Sequence, residues 1–156
     1  MNRSWKMILK KQSQIPRQGS NKEQTYLTTE DTELIDNNLT EKVIGFAIKV
    51  HKVLGPGLLE SSYQTCLYYE LNKDGIFVEK EKHLPIFYED IKIDGGYRID
   101  LFVEKKLILE IKSVESLAPI HTAQVITYLK LSKCKIALLI NFNVMKLVDG
   151  IKRIIL

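Results

Sequence analysis

The sequence predicts an α/β (α+β) domain with its elements in the order α, α, β, β, β, α, β, β. Three observations carry that expectation. Apolar residues recur at three- and four-residue spacing from about residue 40 to 73, the mark of amphipathic helices. The period then changes to alternation through residue 113, the mark of half-buried strands. Finally, a helical stretch at 118–131 leads into KIALLIN (135–141), an almost wholly apolar run of the kind buried on both faces of a sheet.

Taken in order, Thr40 is placed to cap the first helix, with Glu41 in a first turn where the helix dipole favours a carboxylate. Val43, Ile44, Ala47, Ile48 and Leu54, with His51 at the rim, make its buried face. Gly55-Pro56-Gly57 ends it. The second helix is expected from about Leu58 to Lys73, turning Leu59, Tyr63, Cys66, Leu67, Tyr69 and Leu71 toward other elements, with Gly75 just past its end. IFVEKEKHLPIFY (76–88) reads as one or two strands, and Pro85 marks an edge position or a bulge. YRIDLFV (97–103), the polar turn Glu104-Lys105-Lys106 and LILEIKS (107–113) form a β-hairpin by pattern. Pro119 stands in the first turn of the helix at 118–131. MKLVDGIKRIIL closes the chain as a short hairpin or strand pair around Asp149-Gly150.

With 156 residues, 45% of them hydrophobic and 27% charged, one globular domain is expected. No apolar run approaches the ~20 residues that span a bilayer. The opening MNRSWKMILKKQSQ also lacks the apolar stretch and cleavage site of a secretory leader, so no membrane association and a cytoplasmic location are expected. Cys66 and Cys134 stand far apart without CxxC spacing, which offers neither a disulfide framework nor a zinc or iron-sulfur site; both read as reduced core residues. Charge is distributed unevenly. Residues 1–22 hold six basic residues and no acidic one, and residues 23–41 hold six acidic residues and no basic one. The net charge of +4 suits a polyanion partner without requiring one. Residues 1–38, rich in Gln, Asn, Ser, Thr and Lys, are expected to be a flexible polar tail, leaving 39–156 as the folded domain.

Alternation places Tyr97, Ile99, Leu101 and Val103 on one face of their strand, and Arg98 and Asp100 on the other. In the next strand Leu107, Leu109 and Ile111 share a face, while Glu110 and Lys112 point the opposite way beside Ile108. A three-residue turn at 104–106 would pair Val103 with Leu107 and set Asp100 opposite Glu110. Like charges so placed cost a few tenths to about 1 kcal/mol, and the pair makes better sense around a divalent cation. Carboxylate oxygens with no Cys and no clear His pair favour magnesium or manganese over zinc. Lys112, two residues beyond Glu110, is placed to steady an attacking water or the charge developing on a phosphate. Taken alone, two carboxylates and a lysine at this spacing describe the solvated face of an amphipathic hairpin just as well.

The stretch Gly57-Leu58-Leu59-Glu60-Ser61-Ser62-Tyr63 is followed by YRIDLFVE, LILEIKSVE, PIHTAQVITYLKL and LLINFNV. That ordered series resembles the GxxExxY family of the PD-(D/E)xK nuclease superfamily, over about residues 40–156. The resemblance implies a restriction-endonuclease-like αβββαβ core, a central mixed sheet flanked by helices, in agreement with the order read from periodicity. It implies metal-dependent hydrolysis of phosphodiester bonds, in DNA rather than RNA, with Mg2+ or Mn2+ as cofactor. Asp100 and Glu110 would be metal ligands, joined by Glu60 of the first core helix, and Lys112 would be the active-site lysine. Gln124 and Tyr128 resemble the QxxxY element of the exonuclease branch. Ile99 stands where the superfamily's nominal proline precedes the aspartate.

His51 and His83 read as packed or surface residues, whereas His121, one turn before Gln124, and Arg98, beside Asp100, are candidates to touch phosphate. Most of the tyrosines are explained as core or interface residues. The alternative to an enzyme is a catalytically silent nuclease-like module that binds nucleic acid or a protein partner; retention of Glu60, Asp100, Glu110 and Lys112 together favours turnover. A domain this small leaves little surface for gripping a duplex, which raises a homodimer or a subunit of a larger complex as the working form.

Overall fold

Residues 29–156 are described by the computed structural model; residues 1–28, and with them most of the expected tail, lie outside the described residues. Helices α1 (Thr29–Leu54) and α2 (Glu60–Lys73) come first. Strand β1 (Val78–His83), a small ribbon of β2 (Ile86–Tyr88) and β3 (Ile91–Ile93), and the hairpin β4 (Arg98–Val103) and β5 (Leu107–Lys112) follow. Helix α3 (Pro119–Ser132) carries the chain to β6 (Ile136–Asn141), and a 3-10 turn (Leu147–Gly150) leads into β7 (Ile151–Ile155).

The main sheet has the order β1-β4-β5-β6-β7. Its neighbours are antiparallel except β5 and β6, which run parallel because α3 crosses over between them. All six residues of β6 are buried, as its uninterrupted apolar sequence requires. On one face of the sheet, Val43, Ala47 and Val50 of α1 and Tyr63, Leu67 and Leu71 of α2 pack on Leu101, Leu109, Ile111, Leu138 and Ile140. On the other, Val125, Tyr128 and Leu129 of α3 pack on Ile99, Phe102, Ile108, Ala137 and Leu139. The expected α/β architecture, a mixed sheet between helices, is the one observed. Among the described residues, no helix is long and apolar enough to cross a membrane.

Several local expectations are corrected. Helix α1 already runs through residues 29–38 ahead of Thr40, so ten residues assigned to the tail are helical. Thr40 is inside the helix and buried, its hydroxyl donating back to the Asp36 carbonyl at 2.6 Å. Extending an existing helix costs far less than nucleating one, so the polar stretch needs no apolar face of its own. Helix α2 starts at Glu60, and Leu59 and Tyr69, expected to pack, are exposed.

Ile99 does not share a face with Leu101 and Val103 but joins Phe102 and Ile108 under α3. The alternation breaks at Asp100: the β1–β4 ladder skips the Glu81 to Asp100 pair, where Glu81 takes a left-handed φ of 55°. The tail of the chain is not a self-contained hairpin, because β7 pairs with β6 across the 3-10 turn. Gly150 ends that turn where a Cβ would collide with the Asn141 carbonyl oxygen.

Candidate active site

The turn at Glu104–Lys106 has three residues, and Val103 pairs with Leu107 and Leu101 with Leu109, as the hairpin pattern anticipates. Glu104 and Lys105 adopt left-handed conformations to close it. The turn is anchored on Phe77, whose carbonyl accepts from the Glu104 amide at 2.9 Å and whose amide donates to Glu104 Oε1 at 2.7 Å. The paired ladder stops at Leu101 and Leu109. One residue further, Asp100 Oδ2 accepts the Ile111 amide at 2.7 Å, so a side chain takes over where backbone pairing ends. On the other side, Gln64 of α2 donates to the Asp100 carbonyl at 3.2 Å.

Glu110 projects from the middle of β5 toward the α3 side of the sheet and is 2% exposed, which excludes the alternative of a solvated hairpin face for this residue. Both faces of β5 are covered by helices, which leaves its charged residues in a recess instead of on a surface. Lys112 Nζ donates to Glu110 Oε1 at 2.6 Å. Oε2 of Glu110 is buried with no hydrogen-bond partner among the described residues. Burial, then the negative charge of Asp100, pushes the Glu110 carboxyl up to about 7, with Lys112 opposing and Glu60 adding a smaller push. Asp100 is raised as well, by burial first, against the Ile111 amide and the charge of Lys112. Burial works to lower the Lys112 ammonium, but its bond to Glu110 and the charges of Glu60 and Asp100 outweigh that and raise it.

Glu60 opens α2 at the C-terminal end of β5, where its Oε1 accepts the Ser113 amide at 3.2 Å. Tyr63 explains how it is held there. The Tyr63 ring is fully buried and stacks on Phe142 with centroids 4.4 Å apart. Its hydroxyl donates to the Gly55 carbonyl at 2.7 Å and accepts the Leu58 amide at 3.1 Å, which clamps the loop in front of Glu60. Gly57 sits in that loop at φ 98°, a conformation open to glycine. Ser113 fastens the other side by donating from its hydroxyl to the Leu58 carbonyl at 2.6 Å.

From α3, Gln124 donates to the Tyr128 hydroxyl at 2.8 Å. The phenol is held above its ordinary range by burial and then by the charge of Glu110, against its bonds to Gln124 and the Arg98 backbone. The structure therefore brings Glu60, Asp100, Glu110 and Lys112 into electrostatic reach of one another, with Tyr128 in reach of Glu110 and Asp100 and Gln124 bonded to Tyr128.

Other candidates stand apart or serve the frame. Arg98 borders the site, its charge opposing the rise of Asp100 and its backbone bonding Tyr128, while its exposed guanidinium pairs with Glu81 at 3.6 Å. The His121 ring accepts the Ala118 amide on Nδ1 at 3.1 Å, inside its own helix turn. His51 is buried, its Nε2 bonded to the Val144 carbonyl at 2.8 Å, and His83 is exposed. Sequence reasoning missed Gln64 and Asn141. The signal for Gln64 was its place four residues after Glu60, on the same helix face. Asn141, opposite Lys112 in the β5–β6 ladder, holds the loop beyond β5 through the Val114 amide and carbonyl at 3.1 and 2.9 Å.

Among the described residues, no group of three or more His, Cys, Asp or Glu side chains could by itself hold a metal ion. The residues nevertheless fit a hard cation of the magnesium type, which is commonly bound through one or two carboxylates and completed by water and substrate phosphate. The buried, unpartnered Oε2 of Glu110 is an acceptor that such an ion would satisfy.

The family model of the PD-(D/E)XK nuclease superfamily matches residues 37–154. No curated protein and no solved structure matches the chain.

Proposed function

The chain belongs to the PD-(D/E)XK nuclease superfamily, and on that premise we propose that it is a metal-dependent nuclease hydrolysing phosphodiester bonds in DNA. One observation carries the reading: a buried carboxylate oxygen of Glu110 without a partner, beside the charge of Asp100 and the ammonium of Lys112. A structural ion pair would satisfy both oxygens, whereas a site awaiting a cation leaves one free.

Asp100, Glu110 and Glu60 would hold Mg2+ or Mn2+, which when bound supplies Lewis acidity and a more acidic water. Lys112 shares Glu110 with that ion, so its ammonium is held within reach of the charge that grows on the phosphate. Gln124 and Tyr128 orient one another and border the carboxylates from α3. Gln64 and the Tyr63 clamp are positioning residues, acting through Asp100 and Glu60. The Gly57, Glu60 and Tyr63 set also supports placing the chain in the GxxExxY group.

Incubation of the purified protein with labelled single- and double-stranded DNA and RNA, with magnesium, manganese or EDTA, tests this. Cleavage of DNA that needs either metal and stops with EDTA is the expected result. Retention of DNA with no cleavage under either metal would favour the silent binding module.

A further inference from the structure

The parallel ladder between β5 and β6 keeps its register as far as Lys112 opposite Asn141, where the Phe142 amide still donates to the Lys112 carbonyl at 2.8 Å. Beyond that point the two strands part. Asn141 turns β6 away, its Oδ1 accepting the Asn143 amide at 3.2 Å in an Asx turn. The same Oδ1 accepts the Val114 amide at 3.1 Å, and Nδ2 donates to the Val114 carbonyl at 2.9 Å. A primary amide offers the donor and the acceptor of a peptide group, so the side chain of Asn141 pairs with Val114 as a neighbouring strand would. On the other flank of β5, Asp100 serves the Ile111 amide in a similar way. Around Lys112, side chains thus take over from the backbone ladder on both sides of the strand.

Ser113 lies between Lys112 and Val114 and reaches the opposite way. Its amide donates to Glu60 Oε1 at 3.2 Å and its hydroxyl to the Leu58 carbonyl at 2.6 Å. The Ser113–Val114 segment therefore has Glu60 on one side and Asn141 on the other. Asn141 has little room to give, because it is buried and Gly150 packs where a Cβ would collide with its carbonyl oxygen. Consecutive peptide planes are joined through one Cα by two soft dihedrals, so holding Val114 by both its amide and its carbonyl restricts where the Ser113 amide can point. Glu60 itself is exposed, and its direction depends on that amide rather than on packing.

We propose that Asn141 is a positioning residue: held in β6, it sets the place of the Glu60 carboxylate through the Val114–Ser113 link. An asparagine that merely closed a loop would leave Glu60 as it is. The consequence for a metal ion rests on the nuclease reading, whereas the link itself does not.

Amide exchange of the full chain without added metal, followed by NMR at Ser113, tests the link apart from any activity. Asn141→Ala should speed exchange at Ser113 as well as at Val114 by about tenfold or more, since losing the partners of a buried amide favours local opening. Asn141→Asp keeps the shape and both accepted bonds and removes the donor to the Val114 carbonyl, so it reads the link even if the alanine variant fails to fold. Ser113 should again exchange faster, though by less. Exchange at Ser113 that stays at the wild-type rate in every folded variant overturns the proposal. Manganese affinity by calorimetry gives the second readout. Asn141→Ala should weaken it by roughly tenfold or more, the scale for a residue that orients a ligand, and should add nothing in a Glu60→Gln background. Equal losses in both backgrounds, or a fall in Tm with affinity unchanged, would reduce Asn141 to a loop closure and overturn the proposal. A wild-type chain that binds no manganese sinks the nuclease reading instead, and exchange at Ser113 then decides the link alone.

Discussion

The ammonium of Lys112 lies 2.6 Å from Oε1 of Glu110, two residues earlier on the same strand, while Oε2 of that carboxylate has no partner among the described residues. Acid and base are thus matched on one side only. The lysine satisfies one oxygen of Glu110, and on the proposed reading the second oxygen would face a cation.

That division of labour separates two variants. Asp100→Asn removes a ligand charge but keeps the side chain's shape, so manganese binding and DNA cleavage should fall together. Lys112→Met removes only the ammonium. Metal affinity should be unchanged or improved, because a neighbouring positive charge opposes the cation, while single-turnover cleavage drops by about a hundredfold or more. Calorimetric titration with manganese beside the cleavage assay reads both; a Lys112→Met protein that cleaves at the wild-type rate refutes the role.

The raised carboxyl of Glu110 makes stability depend on pH with a defined sign. Its ordinary value is 4.5 and its value in the fold about 7. Below the ordinary value both folded and unfolded chains hold the proton, and the group contributes nothing. As pH climbs toward the folded value the unfolded chain ionises more readily, so up to about 3 kcal/mol of stability is lost and stays lost at higher pH. Glu110→Gln should accordingly raise the metal-free Tm well above neutrality and leave it unchanged in mild acid. Equal shifts at both pH values in scanning calorimetry would contradict the assignment.

Tyr63→Phe keeps the stacked ring but strips the hydroxyl that bridges Gly55 and Leu58. Two buried-side bonds are lost, and urea unfolding should register a cost of about 1–3 kcal/mol. Cleavage should fall too, through the loosened position of Glu60, and high magnesium should recover part of it. A stability loss with no change in metal dependence would leave Tyr63 purely structural.

Gln64→Leu fills the same space but leaves the Asp100 carbonyl without its donor. The expected result is a loss of about 1 kcal/mol in stability and a reduced kcat with KM little changed, since the residue acts on a ligand and not on the substrate. Gln64→Glu, whose added charge faces the carbonyl and nearby carboxylates, should be worse on both counts.

Removal of residues 1–28 should leave thermal unfolding in place, because a segment this rich in Gln, Asn, Ser, Thr and Lys offers too little apolar surface to offset the entropy of ordering it. A deeper cut through residue 37 removes two acceptors, Asn37 for Arg153 and the Asp36 carbonyl for the buried Thr40 hydroxyl, each at 2.6 Å, and should cost about 1–3 kcal/mol. A drop in Tm on the shorter deletion would show that the segment packs on the domain.

Much of this protein was legible in the order of its residues. Local rules dictate the two N-terminal helices, the three-residue turn that pairs Val103 with Leu107 and Leu101 with Leu109, and the apolar strand at 136–141, because spacing, turn chemistry and burial on both faces each leave a mark within a short window. The Gly57, Glu60 and Tyr63 spacing was visible as well, though not its meaning as a clamp on the loop that delivers Glu60. Contacts between distant segments left no such mark. That Ile99 turns away from Leu101 depends on Glu81 across the ladder, and the support of Asp100 depends on Gln64, 36 residues away. Alternation likewise assigned Glu110 to a charged face but gave no measure of how deeply the helix that follows would bury it. Burial by a helix from elsewhere in the chain turns an ordinary surface carboxylate into one pushed up to about 7, and only the tertiary fold supplies that desolvation.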